Sequence, residues 1–166
     1  MSMAESMLNE FDEEMATTRR ILERVPDGKT DWTPHAKSTP LARLATHIAE
    51  LPVWTVNSLA ADNIDIDPAT FKPKIVESAA ERLALFDDSV KKARAALLAA
   101  TDEDFGKPWE LRMGGKAMIK QTRGKTYRVF TMNHLIHHRA QLGVYLRLLD
   151  VALPGTYGPT ADERPF

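Results

Sequence analysis

Apolar side chains recur along much of this chain at the three- and four-residue spacing that gives an α-helix one buried face. Met7, Leu8, Phe11, Met15, Thr18, Ile21, Leu22 and Val25 form the first such stripe and predict a helix over about 4–25, stopped by Pro26-Asp27-Gly28. A second stripe, Leu41, Leu44, Ile48, Leu51 and Trp54, predicts a helix to about residue 60. Ser38 or Thr39 would be its N-cap, with Pro40 in the first turn. Leu83, Leu85, Phe86, Val90, Ala93, Leu97 and Leu98 predict a third helix over about 76–100, and a fourth spans about 126–151. The pattern is that of an all-α, four-helix bundle.

The connections qualify this picture. Residues 62–73 form an extended, proline-containing link, long for a tight bundle turn and suited to a crossover between non-adjacent or parallel helices. Between the third and fourth helices, residues 109–113 and 116–121 flank Gly114-Gly115, the pattern of a short β-hairpin. The Pro- and Gly-containing stretch from about 154 is a non-helical tail. Tyr157, Pro159, Asp162 and Glu163 follow the last helix so closely that the tail is expected to fold back over the bundle end, its carboxylates making surface ion pairs or reaching a metal.

At 166 residues the chain has the size of a single domain, 1–166. A formal net charge of −1 gives no electrostatic case for nucleic acid or an anionic membrane as a partner. No apolar run approaches the ~20 residues of a membrane helix. The N-terminal residues lack the basic-then-apolar order of a signal peptide, so a cytoplasmic location is expected. The basic residues Lys107, Arg112, Lys116, Lys120, Arg123, Lys125 and Arg128 gather around the hairpin, as a solvated loop or a clamp for an anionic substrate. There is no cysteine, so any metal must be held by His, Asp, Glu or water, and any thiol must come from outside.

The chemistry points to the histidines. Three of the five fall in five consecutive residues, His134 to His138, within the fourth helix. At ~100° per residue, His134 and His138 lie roughly 40° apart, on one line with Tyr127, Gln141 and Tyr145. His137 points away, and His35 sits in a polar loop where a surface role is expected. His47 lies among Leu44, Ile48, Leu51 and Trp54 on the inward face of helix two. An unpaired imidazole buried there would cost on the order of 1–3 kcal/mol, so it needs a partner, which His134 and His138 can provide. Pro52, one turn beyond His47, should bend the helix near the site. Arg139 adjoins a ligand but points elsewhere, toward an ion pair.

These features together resemble the DinB/YfiT-like superfamily. The resemblance rests on Asp31-Trp32, then 38–41 (Ser-Thr-Pro-Leu), then 44–48 (Leu-Ala-Thr-His-Ile). It continues with His134-x-x-x-His138-Arg139-x-Gln141 and Pro154-Gly155-x-Tyr157-Gly158-Pro159-Thr160-Ala161-Asp162-Glu163. It covers nearly the whole chain. It implies an up-down-down-up four-helix bundle, commonly a homodimer, in which His47, His134 and His138 hold a divalent ion, zinc or nickel, with positions left open. Ala140 stands where the family commonly has glycine after His-Arg. The resemblance also implies small-molecule chemistry, since relatives include thiol-dependent S-transferases and isomerases that use glutathione, mycothiol or bacillithiol.

Three neutral nitrogens leave coordination positions free, the arrangement of a catalytic site. The first functional expectation is a metal-dependent S-transferase activating a low-molecular-weight thiol. Metal-dependent hydrolysis is the second, and a non-catalytic, metal-stabilised bundle of a stress response the third. Gln141 and Tyr145 are positioned to contact substrate or to orient a ligand.

Overall fold

The computed structural model describes residues 2–164. The chain is mostly helical, with one small three-stranded sheet. In chain order the elements are α1 (Met3–Leu22), α2 (Leu41–Glu50), α3 (Val53–Ala60), β1 (Asn63–Ile66), α4 (Ala79–Ala99) and α5 (Asp102–Gly106). They continue with β2 (Pro108–Met113), β3 (Lys116–Thr122), α6 (Arg123–Thr126), a π-helical segment (Tyr127–Asn133) and α7 (His134–Leu148). Helix α1 packs on α4 and α7, α2 packs on the same two helices, and α3 lies against α4 and the π-helical segment. Phe11, Leu22, Ile48, Phe86, Leu97, Leu135 and Leu142 fill the space between them. Among the described residues no helix is long and apolar enough to cross a membrane.

The helix ends follow local chemistry. Ser2 and Glu5 form a capping box at the start of α1, and Asp102 accepts from the Met3 and Ala4 amides at 3.1 and 3.0 Å. The predicted Ser38 or Thr39 cap of helix two is not used. Pro40 occupies the N-cap position with no side-chain cap, and loop carbonyls take its place: Leu41 N donates to Trp32 O (2.9 Å) and Ala42 N to Thr30 O (3.2 Å). Pro52 does more than bend the helix: it separates α2 from α3 at residues 51–52. The third helix starts at Ala79, not 76, because the Val76 amide donates to Thr46 Oγ1 (2.9 Å) and Ser78 supplies the cap. The last helix stops at Leu148 in a Schellman turn, with Val151 N donating to Leu146 O (3.0 Å) and Asp150 N to Arg147 O (3.1 Å). Asp150 takes the left-handed conformation at φ 58°.

Two departures from the predicted elements matter for the site. The expected hairpin is present as β2 and β3, turned by Gly114 and Gly115 at φ 55° and 81°. The link after α3 contributes a strand of its own, β1, which pairs in parallel with β2 from Asn63↔Glu110 to Ile66↔Met113. The chain is therefore not all-α. Trp109 anchors the sheet: its indole donates to Asn57 O at 3.0 Å and its ring packs among Trp54 and Phe130. The second departure is the π-helical segment. Its wider i→i+5 turns shift the helix phase ahead of His134. Tyr127, predicted to share the histidine line, is instead fully buried and donates to Met7 O at 3.2 Å.

The tail folds back, as its composition and closeness to the last helix led us to expect. Tyr157 Oη donates to Glu14 Oε1 at 2.5 Å, Thr160 Oγ1 donates to Leu153 O at 2.8 Å, and Asp162 and Glu163 pair with Arg147 and Arg20. These carboxylates make ion pairs and take no part in the histidine cluster. The basic residues of the hairpin region are largely engaged too. Lys107 pairs with Asp104, Arg112 and Lys120 with Glu110, and Arg128 with Glu10, while Arg123 is buried against Asp62 and the Leu59 carbonyl.

Candidate metal centre

His47 projects from the last turn of α2, and His134 and His138 from the first two turns of α7, which packs directly on α2. The three rings meet with centroids 4.7–5.0 Å apart, and one potential ligand nitrogen or more from each lies within 4.8 Å of the others. His47 Nε2 and His134 Nε2 are 3.3 Å apart. Two ligands of a tetrahedral ion at ~2.0–2.1 Å are held roughly 3.3 Å from one another, so this spacing suits a shared ion. Among the described residues no fourth His, Cys, Asp or Glu joins the group. The donor set is three imidazoles and an open remainder.

Electrostatics keep the donors available. Burial pushes the His47 pKa down to about 4, helped by the neighbouring His138, His134 and Arg43. Burial also lowers His134 and His138, with the adjacent histidines reinforcing the shift. All three rings are thus neutral near pH 7, the form that binds a metal.

Each predicted site residue can now be placed. Gln141 Oε1 lies 2.7 Å from His138 Nδ1. An amide oxygen can only accept, so Nδ1 carries the proton and Nε2 presents its lone pair. Gln141 orients a ring rather than reaching into the cluster. Replacing it with leucine is expected to weaken metal affinity about tenfold, the low end for such outer partners because Gln141 is exposed and water can substitute. Gln141→Glu, which still accepts, should retain affinity; equal affinities for all three proteins in a competition titration would refute the orienting role. Tyr145 packs edge-on against Trp32 at 5.6 Å, tying α7 to the loop before α2. His137 and His35 are exposed, as their positions implied, and His35 Nδ1 accepts from the Lys37 amide at 3.1 Å.

Sequence reasoning missed a cavity of about 630 Å³ that reaches His47. Helices α2, α3 and α4 form its walls, with β1 and residues 67–71 along one side. Arg43, one turn before His47, and Glu50, one turn after, line it. Their i−4 and i+3 spacing from His47 was the available signal. The cavity itself was hidden because it depends on where the β1 segment folds.

A mostly helical fold with three clustered imidazoles defines a class of proteins able to hold a divalent ion between two helices. The DinB family model matches residues 1–164, and the chain belongs to the DinB family. A DinB-like protein from Bacillus cereus ATCC 10987 superposes with a TM-score of 0.72 at 21% identity, covering 92% of this chain and 97% of that one. A DinB-like protein from Bacillus subtilis gives 0.68 at 21% identity, covering 96% and 99%. These likenesses establish a DinB-like fold. No curated protein sequence gives a significant match.

Proposed function

We propose that this protein is a divalent-metal-dependent enzyme that joins a low-molecular-weight thiol to a small electrophile. His47, His134 and His138 would hold the ion, with zinc or nickel suited to three imidazoles. The observation that carries the reading is an open three-nitrogen donor set of which one ring, His47, lines a cavity of about 630 Å³. A purely structural ion is better served by four protein ligands. A bound divalent ion supplies Lewis acidity, which favours the thiolate form of an incoming thiol. The chain supplies no thiol itself. Its residues keep the ligand rings neutral, fix the His138 tautomer through Gln141, and wall the cavity with Leu51, Trp54 and Leu85.

The helical layer fits the same reading as a single-domain, up-down-down-up four-helix bundle made of α1, α2 with α3, α4, and α6 through α7. We take a homodimer as the assembly, on the strength of the exposed apolar residues Val144 (60%) and Leu148 (58%) along α7. The test of function is turnover of a generic electrophile by metal-loaded and chelator-treated protein, with a panel of thiols. Thiol-dependent turnover that vanishes on metal removal and returns with zinc or nickel is the expected result. Hydrolysis of an activated ester by the loaded protein without added thiol would favour metal-dependent hydrolysis instead. Metal retention with neither activity would favour a structural ion.

A further inference from the structure

Arg43 is the residue of the cavity whose chemistry is least accounted for by folding. It stands one turn before His47 on the same face of α2, close enough for its charge to act on both His47 and His138. Its side chain is 20% exposed. Its Nη1 is buried with no hydrogen-bond partner, and the nearest carboxylate oxygen, Glu50 Oε2, is 3.8 Å away. That separation allows ionic attraction but not a hydrogen bond. Nη1 itself is closed to solvent, so a ligand oxygen in the cavity would meet the exposed remainder of the guanidinium, which makes no hydrogen bond to the described residues. The arginines that are fully buried in this fold each leave their folding role plain, although Arg82 Nε and Arg123 Nε also lack a partner. Arg82 donates to the Val25 carbonyl, Arg123 to Asp62 and Leu59, and Arg139 to Glu14 and Thr18.

We propose that Arg43 anchors a carboxylate, and that the cavity beside His47 takes small monoanionic carboxylates with an apolar body. The claim that such a molecule is the substrate rests on the metal-centre reading above; the claim that it binds does not. The walls select the class. Leu51, Trp54 and Leu85 offer apolar surface for the body, and planar guanidinium geometry matches a carboxylate. Glu50, Asp65 and Asp67 also line the cavity, and among the described residues Arg43 is its one lining arginine or lysine. Any anion here faces those three carboxylates, and a dianionic phosphate is repelled about twice as strongly as a monoanion while having the same single arginine to hold it. The cavity volume of about 630 Å³ is ample for a compact aryl or branched acid.

Phenylacetate and phenylacetamide, which share an apolar body and differ in charge, provide the test. Both are titrated calorimetrically into wild type, Arg43→Lys and Arg43→Gln, each in metal-loaded and chelator-treated form, with metal content measured on the same samples. The Trp54 indole N–H is followed by NMR as a reporter inside the cavity. We expect phenylacetate to bind about tenfold tighter than the amide, with Trp54 shifting, in both metal states of the wild type. Arg43→Gln should erase the preference and Arg43→Lys should keep part of it, which separates lost charge from lost fold. Equal affinity for the two compounds, binding of neither, or a preference that survives Arg43→Gln overturns the proposal. A preference present only with metal and indifferent to Arg43 assigns the carboxylate to the ion, and also overturns it. If no sample holds metal yet the Arg43-dependent preference persists, the metal-centre reading fails and the carboxylate site stands.

Discussion

Replacing His47 with alanine should leave the protein unable to retain a stoichiometric divalent ion through gel filtration, and His138→Ala should do the same. Changing outer partners of a metal ligand costs about 10–100-fold in affinity, and removing one of three ligands should cost more. His137→Ala is the matched control. It removes a histidine whose ring lies 4.9 Å from His138 but which is exposed and outside the cluster, so occupancy should stay near one. Elemental analysis of the three variants beside wild type decides the matter, and full retention by His47→Ala would refute the triad. A pH dependence accompanies it. Between the ordinary histidine value of 6.5 and the His47 value of about 4, the unfolded chain takes up protons that the native rings refuse. Stability of the metal-free protein should therefore be fully present above pH 6.5 and fall as the solution is acidified through that window. The fall should be shallower in His47→Ala, because burial and mutual repulsion of the three rings cause it. An identical slope in both proteins would contradict the depressed values.

The triad was legible because it depends on helix phase over short distances. Four residues separate His134 from His138, both lie in regular α-helix, and His47 sits in an apolar stripe that leaves it no inward partner but another polar group. The same logic failed at Tyr127, where the π-helical segment inserts a phase shift that nothing in the local pattern of Tyr127–Asn133 announces. It failed at β1 for a different reason. Asn63–Ile66 alternates polar and apolar over only four residues, and it becomes a strand by pairing with β2, more than forty residues later. The cavity wall depends on that pairing, so Arg43 could be seen as a neighbour of His47 but not as a residue lining a cavity. Arg139 lay between these extremes. Its place beside His138, turned from the metal face, predicted an ion pair without naming Glu14 as the partner.

That pair should dominate the stability of the fold. Arg139 Nη1 lies 2.7 Å from Glu14 Oε2, with side chains only 4% and 11% exposed. The contact is ionic attraction without well-directed hydrogen-bond geometry. The hydrogen bonds of Nη1 go to the Glu14 carbonyl at 3.2 Å and Thr18 Oγ1 at 3.0 Å. Tyr157 completes the group by donating to Glu14 Oε1 at 2.5 Å and placing its ring 5.3 Å from the guanidinium carbon. One arginine thereby joins α7, α1 and the tail. Arg139→Met should remove the cation while leaving Glu14 buried and charged, a change that costs about 3–5 kcal/mol. For a chain of this length that is a fall in midpoint of roughly 6–20 °C. The measurement belongs in chelator, so that metal binding does not offset the loss. Glu14→Leu combined with Arg139→Met should cost clearly less than the sum of the two single changes, because the penalty lies in the orphaned charge rather than in missing attraction. Strict additivity, or a cost for Arg139→Met below about 1 kcal/mol, would show that water reaches the pair and that this junction of α1, α7 and the tail is held by apolar packing alone.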